Sequence, residues 1–129
     1  MPPIENLQRV PSLMLERLER QGLFTTGLLL EVSETPTRRA TLADQIGATT
    51  NDINDWRDEA LLLNLAGFGR DEQRIFTQAS VIGLDDLLAL EPTDFRETVV
   101  AAAYTLGVEA PTDLAIESWY DQAQTLEEA

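Results

Sequence analysis

An all-α fold of about eight short helices is predicted for this 129-residue chain by three observations. Proline and glycine punctuate it at equal, helical distances: Pro11 to Gly22, Pro36 to Gly47 and Gly69 to Ser80 share one interval, and Pro92 and Gly107 bracket a longer stretch. Proline in a first turn lacks an N–H that has no partner there anyway, and glycine just past a last turn accepts left-handed backbone. Apolar side chains recur at three- and four-residue spacing and never alternate over the length of a strand. Composition is that of a globular domain, 43% hydrophobic and 25% charged, which argues against disorder.

Taken in order, the Pro11 helix carries Leu13, Leu15 and Leu18 beside Arg17 and Arg20, a face expected to pack inside the domain. Thr25 or Thr26 can cap a segment through Leu28, Leu29, Leu30 and Val32. The Pro36 helix ends at Gly47, and Thr49 or Thr50 caps the next, with Ile53, Trp56, Ala60 and Leu63 on one face. After the Gly69 helix, Leu84, Leu87 and Leu88 mark a short one. The Pro92 helix aligns Phe95, Val99, Ala103 and Leu106. Pro111 opens the last, where Asp113 suits the positive end of the helix dipole and Ile116, Trp119, Tyr120 and Ala123 share a face. Residues 124–129 read as a short flexible tail. Laid over itself with Leu7 on Leu65, the chain also places Val10, Leu18, Leu23, Leu29 and Leu30 on Phe68, Phe76, Val81, Leu87 and Leu88. One domain, 1–129, made of two repeat-like units at about 4–64 and 65–123, is the expectation.

Composition also excludes chemistry. The chain has no histidine, cysteine or lysine, so all nine cations are arginines that stay charged at any working pH. Imidazole bases, thiolate or amine nucleophiles and soft metal ligands are therefore missing. No catalytic residue, metal site or cofactor is assigned. Asp52, Asp55 and Glu59 lie along one helix face with Asp58 adjacent, a row read as solvated because it lacks an EF-hand's loop ligands and a di-iron site's histidine. A carboxylate-based hydrolase is the third-ranked function, since no pair among 23 acids stands out. No apolar run reaches membrane-spanning length, and Met1-Pro2-Pro3-Ile4-Glu5 shows neither the basic nor the apolar region of a signal peptide. A cytoplasmic protein is expected.

The sharpest local motif is Leu65-Ala66-Gly67-Phe68-Gly69, between two helical segments. A glycine-apolar-glycine hairpin turns tightly, should bury Phe68 between helices, and leaves N–H groups at the next helix's start. This is the pattern of a helix-hairpin-helix, in which Gly67, Phe68, Gly69 and Arg70 are candidates for contact with a phosphate or a partner. Together with Gly22-Leu23-Phe24-Thr25-Thr26, Arg38-Arg39-Ala40-Thr41-Leu42-Ala43, Ile46-Gly47, Trp56, Ala60 to Leu65, Ala79-Ser80-Val81 and Asp86-Leu87-Leu88, it gives the chain a resemblance to the bacterial domain-of-unknown-function family 4332 over about residues 4–95. The resemblance implies tandem helix-hairpin-helix-like units and no established activity. It also puts arginine at Arg38-Arg39, candidates for an ion pair to a C-terminal carboxylate or to a partner, with plain surface solvation the equal alternative. The chain departs from the family pattern at Leu61-Leu62-Leu63-Asn64, where an Asp-Leu-x-Arg run belongs, and at Ser80, which replaces a glycine.

Charge decides between the functional readings. Net charge is −14, and residues 71–129 hold 13 acids against 2 arginines. Arg70 and Arg74 flank the hairpin, but Asp71 and Glu72 share its first turn and cancel them. Nucleic-acid affinity rests on several phosphate contacts that release counterions, so weak sequence-independent binding through the hairpin is the alternative reading. Trp56 and Trp119 lack aromatic companions in sequence and suit a core or a docking face better than base stacking. The leading expectation is a non-enzymatic protein-interaction or scaffold module. Its partner would be another protein with a basic surface or a second copy, with neither nucleic acid nor membrane.

Overall fold

The computed structural model describes residues 2–128, and the side chains of residues 2–126. A 3-10 turn at Ile4–Asn6 precedes α1 (Ser12–Arg20), α2 (Thr26–Val32), α3 (Pro36–Ile46), α4 (Thr50–Leu63), α5 (Arg70–Gln78), α6 (Leu84–Leu88), α7 (Pro92–Leu106) and α8 (Asp113–Glu128). The protein is all-α. Among the described residues no strand forms, and extended backbone pairs only as an isolated antiparallel bridge between Pro3 and Thr25. α8 continues through Glu128, so residues 124–128, expected as a flexible tail, are helical. No glycine or proline follows Pro111 to stop that helix, and alanine, glutamine, leucine and glutamate extend it. Ala129 lies outside the described residues.

Two compact units divide the chain, Met1–Asn64 and Leu65–Ala129. In unit 1, α2 and α3 pack on α4 and on each other, and α1 packs on α3 and on the 3-10 turn. Its core joins Ile4, Leu7 and Val10 of the N-terminal segment to Leu18, Leu29, Ile46, Ile53 and Trp56. In unit 2, α5 packs on α7, and α6 and α7 pack on α8. Its core is aromatic: the Phe76 ring meets Phe68, Trp119 and Phe95 edge to face at centroid distances of 4.8, 5.5 and 5.7 Å. Such edge-on contacts set positive ring edges against negative faces and add to the stabilisation from burial. Trp119 thus has the aromatic companions that linear spacing concealed.

Helix ends follow a repeated rule. α1, α3, α5 and α7 each stop at a left-handed residue, Gly22 (φ 82°), Gly47 (φ 74°), Ser80 (φ 62°) and Gly107 (φ 69°). The next N–H then returns to a carbonyl five residues back: Leu23 to Leu18 (3.1 Å), Ala48 to Ala43 (2.9 Å), Val81 to Phe76 (2.8 Å) and Val108 to Ala103 (3.1 Å). This bond satisfies an orphan carbonyl and buries the following apolar residue in the cases of Leu23 and Val81. At the starts, the Thr25, Thr35 and Thr49 hydroxyls accept from Leu28, Arg38 and Asp52 N–H groups, and the Asp52 carboxylate in turn accepts the Thr49 N–H. Pro36 and Pro92 occupy first turns, whereas Pro11 sits one residue earlier, at the N-cap of α1.

Ser80 carries a Cβ in a conformation that disfavours one, and it is exposed, so its side chain has little packing to lose. Ser80→Gly is expected to raise stability by roughly 0.5 to 1 kcal/mol, relief of left-handed strain outweighing the extra freedom of the unfolded glycine. Urea denaturation of the two proteins checks this, and an unchanged or lower midpoint would refute it.

Candidate functional site

The hairpin belongs to unit 2 and is held there by α8. Gly67 is left-handed (φ 77°), as its turn requires, and Phe68 N–H closes it on Leu65 O at 3.2 Å. Gln122 accepts the Ala66 N–H at 2.8 Å, and its amide and the Trp119 indole donate to Ala66 O at 3.4 and 3.1 Å. Phe68 is half-buried rather than enclosed, its ring edge-on to Phe76 and, at 5.9 Å, to Trp119. Gly69 is the N-cap of α5 in extended backbone, with Arg70 exposed beside it. A Cβ built on Gly69 would lie 3.5 Å from Glu72 Oε2, so the chain's own carboxylate folds over the N-terminus where a phosphate would bind. Nearby, Asp71, Arg74 and Glu109 line a cleft of about 240 Å³ in which acids outnumber the arginine.

Arg38 and Arg39 turn to the C-terminal end of α2. Arg39 donates to Ser33 O (2.8 Å) and Glu34 O (3.2 Å), and Arg38 reaches Glu31 O at 3.5 Å and the exposed Glu34 carboxylate at 4.0 Å. Arg57 of α4 completes the group, donating to Leu30 O (2.9 Å) and to the buried Ser33 hydroxyl (2.7 Å), which in turn donates to Leu29 O. The negative end of a helix dipole and its orphan carbonyls suit three cations. Burial, and then the like charge of Arg39, pull the Arg57 guanidinium below its ordinary value, with Glu34 opposing. Arg17 does the same service for α3, donating to Ile46 O at 2.8 Å.

The residue that sequence reading misplaced is Glu59. Expected in a solvated row, it is fully buried, and its two oxygens accept the backbone N–H groups of Gln8 (2.7 Å) and Arg9 (2.9 Å). Burial pushes its carboxyl above the ordinary carboxylate range, against the pull of those two N–H groups and of the Arg9 charge. The Arg9 guanidinium itself bonds Asp58 (2.9 Å) and Asp55 O (3.1 Å), while Asp52 is spent on the α4 cap. The signal was present in the sequence. Ile53, Trp56, Glu59 and Ala60 recur at identical spacing as Ile116, Trp119, Gln122 and Ala123, a register that the alignment of Leu7 on Leu65 hides. In both units the fourth helix thus reaches back to the N-terminal segment, Glu59 to Gln8 and Arg9, Gln122 to Ala66. The residue after each tryptophan also matches: Arg57 donates to Leu30 O, and the Tyr120 hydroxyl donates to Leu90 O at 2.7 Å.

Among the described residues, no group of three or more potential metal-ligating side chains converges. No helix there is long and apolar enough to cross a membrane. Buried side-chain polar atoms there all have partners. In unit 1 the surface also carries apolar side chains: Phe24 is 59% exposed and Leu28 and Val32 are each 36% exposed. Leu13, expected to pack inside, is also exposed, because Leu18 and the half-buried Leu15 fill the inner face of α1.

Fold and site together define an all-helical domain whose polar groups serve its own helix ends and segment anchors. The family described as Domain of unknown function (DUF4332) matches residues 10–126, nearly the whole length, and the chain belongs to it. The match extends through most of α8, beyond the stretch over which resemblance was legible. No curated protein and no solved structure matches the chain.

Because Phe68 is half-buried and in contact with two rings, Phe68→Ala is expected to cost about 2 kcal/mol, below the roughly 3 to 5 kcal/mol typical of a fully enclosed phenylalanine. Chemical denaturation measures it. A loss under about 0.5 kcal/mol would show that the hairpin does not depend on the ring.

Proposed function

We propose that this protein is a non-enzymatic helical module that docks another protein through unit 1. The observation that carries this reading is the stripe Phe24, Leu28 and Val32, at four-residue spacing along α2 and its entry and exposed at each position. Single exposed apolar residues need no explanation, but a contiguous row does. The fold itself does not demand the row: when Leu7 is laid on Leu65, the same places hold Ile82, Asp86 and Leu90, and the Asp86 carboxylate caps α6 by accepting Ile82 and Gly83 N–H groups. Beside the stripe a cleft of about 290 Å³ is lined by Val32, Leu42, Thr41, Gln45 and Arg38. That is the form of a shallow protein-binding groove, too small for most cofactors. The acidic residues 71–129 favour a partner with a basic surface and repel phosphate. In this reading Gly67, Phe68 and Gly69 are a helix-hairpin-helix-like turn used for packing, and the chain works in the cytoplasm.

The test is affinity capture from the native cell with the full chain and with a Phe24→Asp, Leu28→Asp double variant. One protein retained by the parent and lost by the variant, at unchanged melting temperature, is the expected result. Equal retention by both would remove the stripe from the reading.

The alternative function is decided by fluorescence anisotropy with a labelled oligonucleotide at about 0.1 M salt, where the Debye length is still ~10 Å and a real cationic patch is felt. No binding is expected. Micromolar binding that Arg70→Glu abolishes would replace the protein-docking reading with the nucleic-acid one.

A further inference from the structure

We propose that Glu59 is a proton-operated latch on the N-terminal segment of unit 1, in a place where unit 2 uses a fixed, non-titrating amide. The geometry is specific. Glu59 is fully buried and reaches from α4 back to the start of the chain to accept two consecutive backbone N–H groups, Gln8 on Oε2 and Arg9 on Oε1. An ionised carboxylate accepts both strongly, whereas a carboxylic acid keeps one good carbonyl acceptor and turns its other oxygen into an O–H donor that accepts only weakly. A proton taken from solvent onto either oxygen therefore weakens one of the two bonds and supplies a donor that needs an acceptor. Unit 2 shows what the neutral arrangement looks like: Gln122 accepts Ala66 N–H and donates to Ala66 O. Protonation of Glu59 accordingly changes what it asks of the segment at Gln8 and Arg9 from a pair of N–H donors to one donor and one acceptor, and the backbone there must turn.

The surroundings favour that proton. Of the charged groups on the elements around Glu59, Glu5 of the 3-10 turn, Glu31 of α2 and Asp44 of α3 are exposed, and Arg38 and Arg39 of α3 are engaged at the end of α2. On α4 itself, Arg57 points to α2, Asp52 caps the first turn, and Asp58 holds Arg9. Arg9 is the charge that acts on Glu59, and it does not offset the desolvation that raises the carboxyl. The linkage sign follows: a carboxyl raised in the folded state contributes stability that is fully present below its unfolded value and is lost as pH rises through its folded value. Acid therefore rearranges the latch without loosening the fold through this group.

The experiment is an NMR titration of the full chain from about pH 7.5 to about pH 4, spanning the ordinary carboxylate range, following backbone amides and glutamate side-chain carboxyls. The Gln8 and Arg9 amides should shift together, tracking the Glu59 carboxyl, with a midpoint above the ordinary carboxylate range, while the Ala66 amide stays still. In Glu59→Gln both amides should stop titrating. Asp58→Asn separates the latch from the neighbouring ion pair: it should leave the shared titration in place. A midpoint within the ordinary carboxylate range, loss of the titration in Asp58→Asn, or its persistence in Glu59→Gln would each overturn the proposal. If Glu59→Gln does not fold, the parent and Asp58→Asn spectra decide it. Melting curves add an independent sign: the parent's advantage over Glu59→Gln should shrink as pH rises from the acid to the neutral end.

Discussion

Short helices leave much of their backbone unpaired, and satisfying their ends is the constraint on which this structure depends. Each helix leaves four N–H groups and four carbonyls without an internal partner, and the helices here run from 5 to 16 residues. In the shortest elements the orphan groups outnumber the internal bonds. Three devices meet the need: left-handed stops that return an N–H to the fifth carbonyl back, threonine hydroxyls at the starts, and cationic or hydroxyl side chains brought from other helices to the remaining carbonyls. The last device ties local structure to tertiary packing. Arg57 can reach Leu30 O, and Arg17 can reach Ile46 O, only when their helices are already docked.

The fourth helix of each unit carries this coupling furthest. Trp56 and Trp119 are both buried, and the residues around each tie down a helix end and the N-terminal segment. The chemistry differs while the positions agree: arginine in one unit and tyrosine in the other donate to the second helix or its exit, and carboxylate in one and amide in the other hold the segment. A guanidinium and a phenol both place a donor at the end of a long side chain, so either can reach the same carbonyl. Carboxylate and amide are not interchangeable in the same sense. One accepts twice and titrates, the other accepts and donates and does not.

Helix count, caps and stops were legible in the sequence because each has a local cause: a proline without an N–H, a glycine at positive φ, a threonine three residues before its target. Ser80 was recognisable as a stop from its spacing, although it lacks the glycine that makes such a stop easy. The anchors were not legible in the same way. Glu59 looked solvated because the three neighbouring acids dominate the local pattern, yet its spacing to Trp56 and Leu63 puts it in the apolar stripe. Its partners lie at the other end of unit 1, and no local rule brings Gln8 and Arg9 to α4. The exposure of Phe68 was not legible either: the ring is half-buried, because α8 holds the turn through Ala66 as well as through the ring.

The absence of lysine follows the same logic. A planar guanidinium offers five donors and can bridge two carbonyls, as Arg39 does with Ser33 and Glu34, and it keeps its charge when half-buried. An ammonium in the Arg57 position would lose more hydration and deprotonate more readily, leaving Leu30 O and the Ser33 hydroxyl with a weaker partner. Of the nine cations, Arg9, Arg17, Arg39 and Arg57 are held by backbone carbonyls at 3.1 Å or less. Those four guanidinium groups are committed to the chain's own backbone. The electrostatic surface that remains is set by the acids, and the exposed apolar groups of unit 1, Phe24, Leu28 and Val32, are ones that its helix ends do not need.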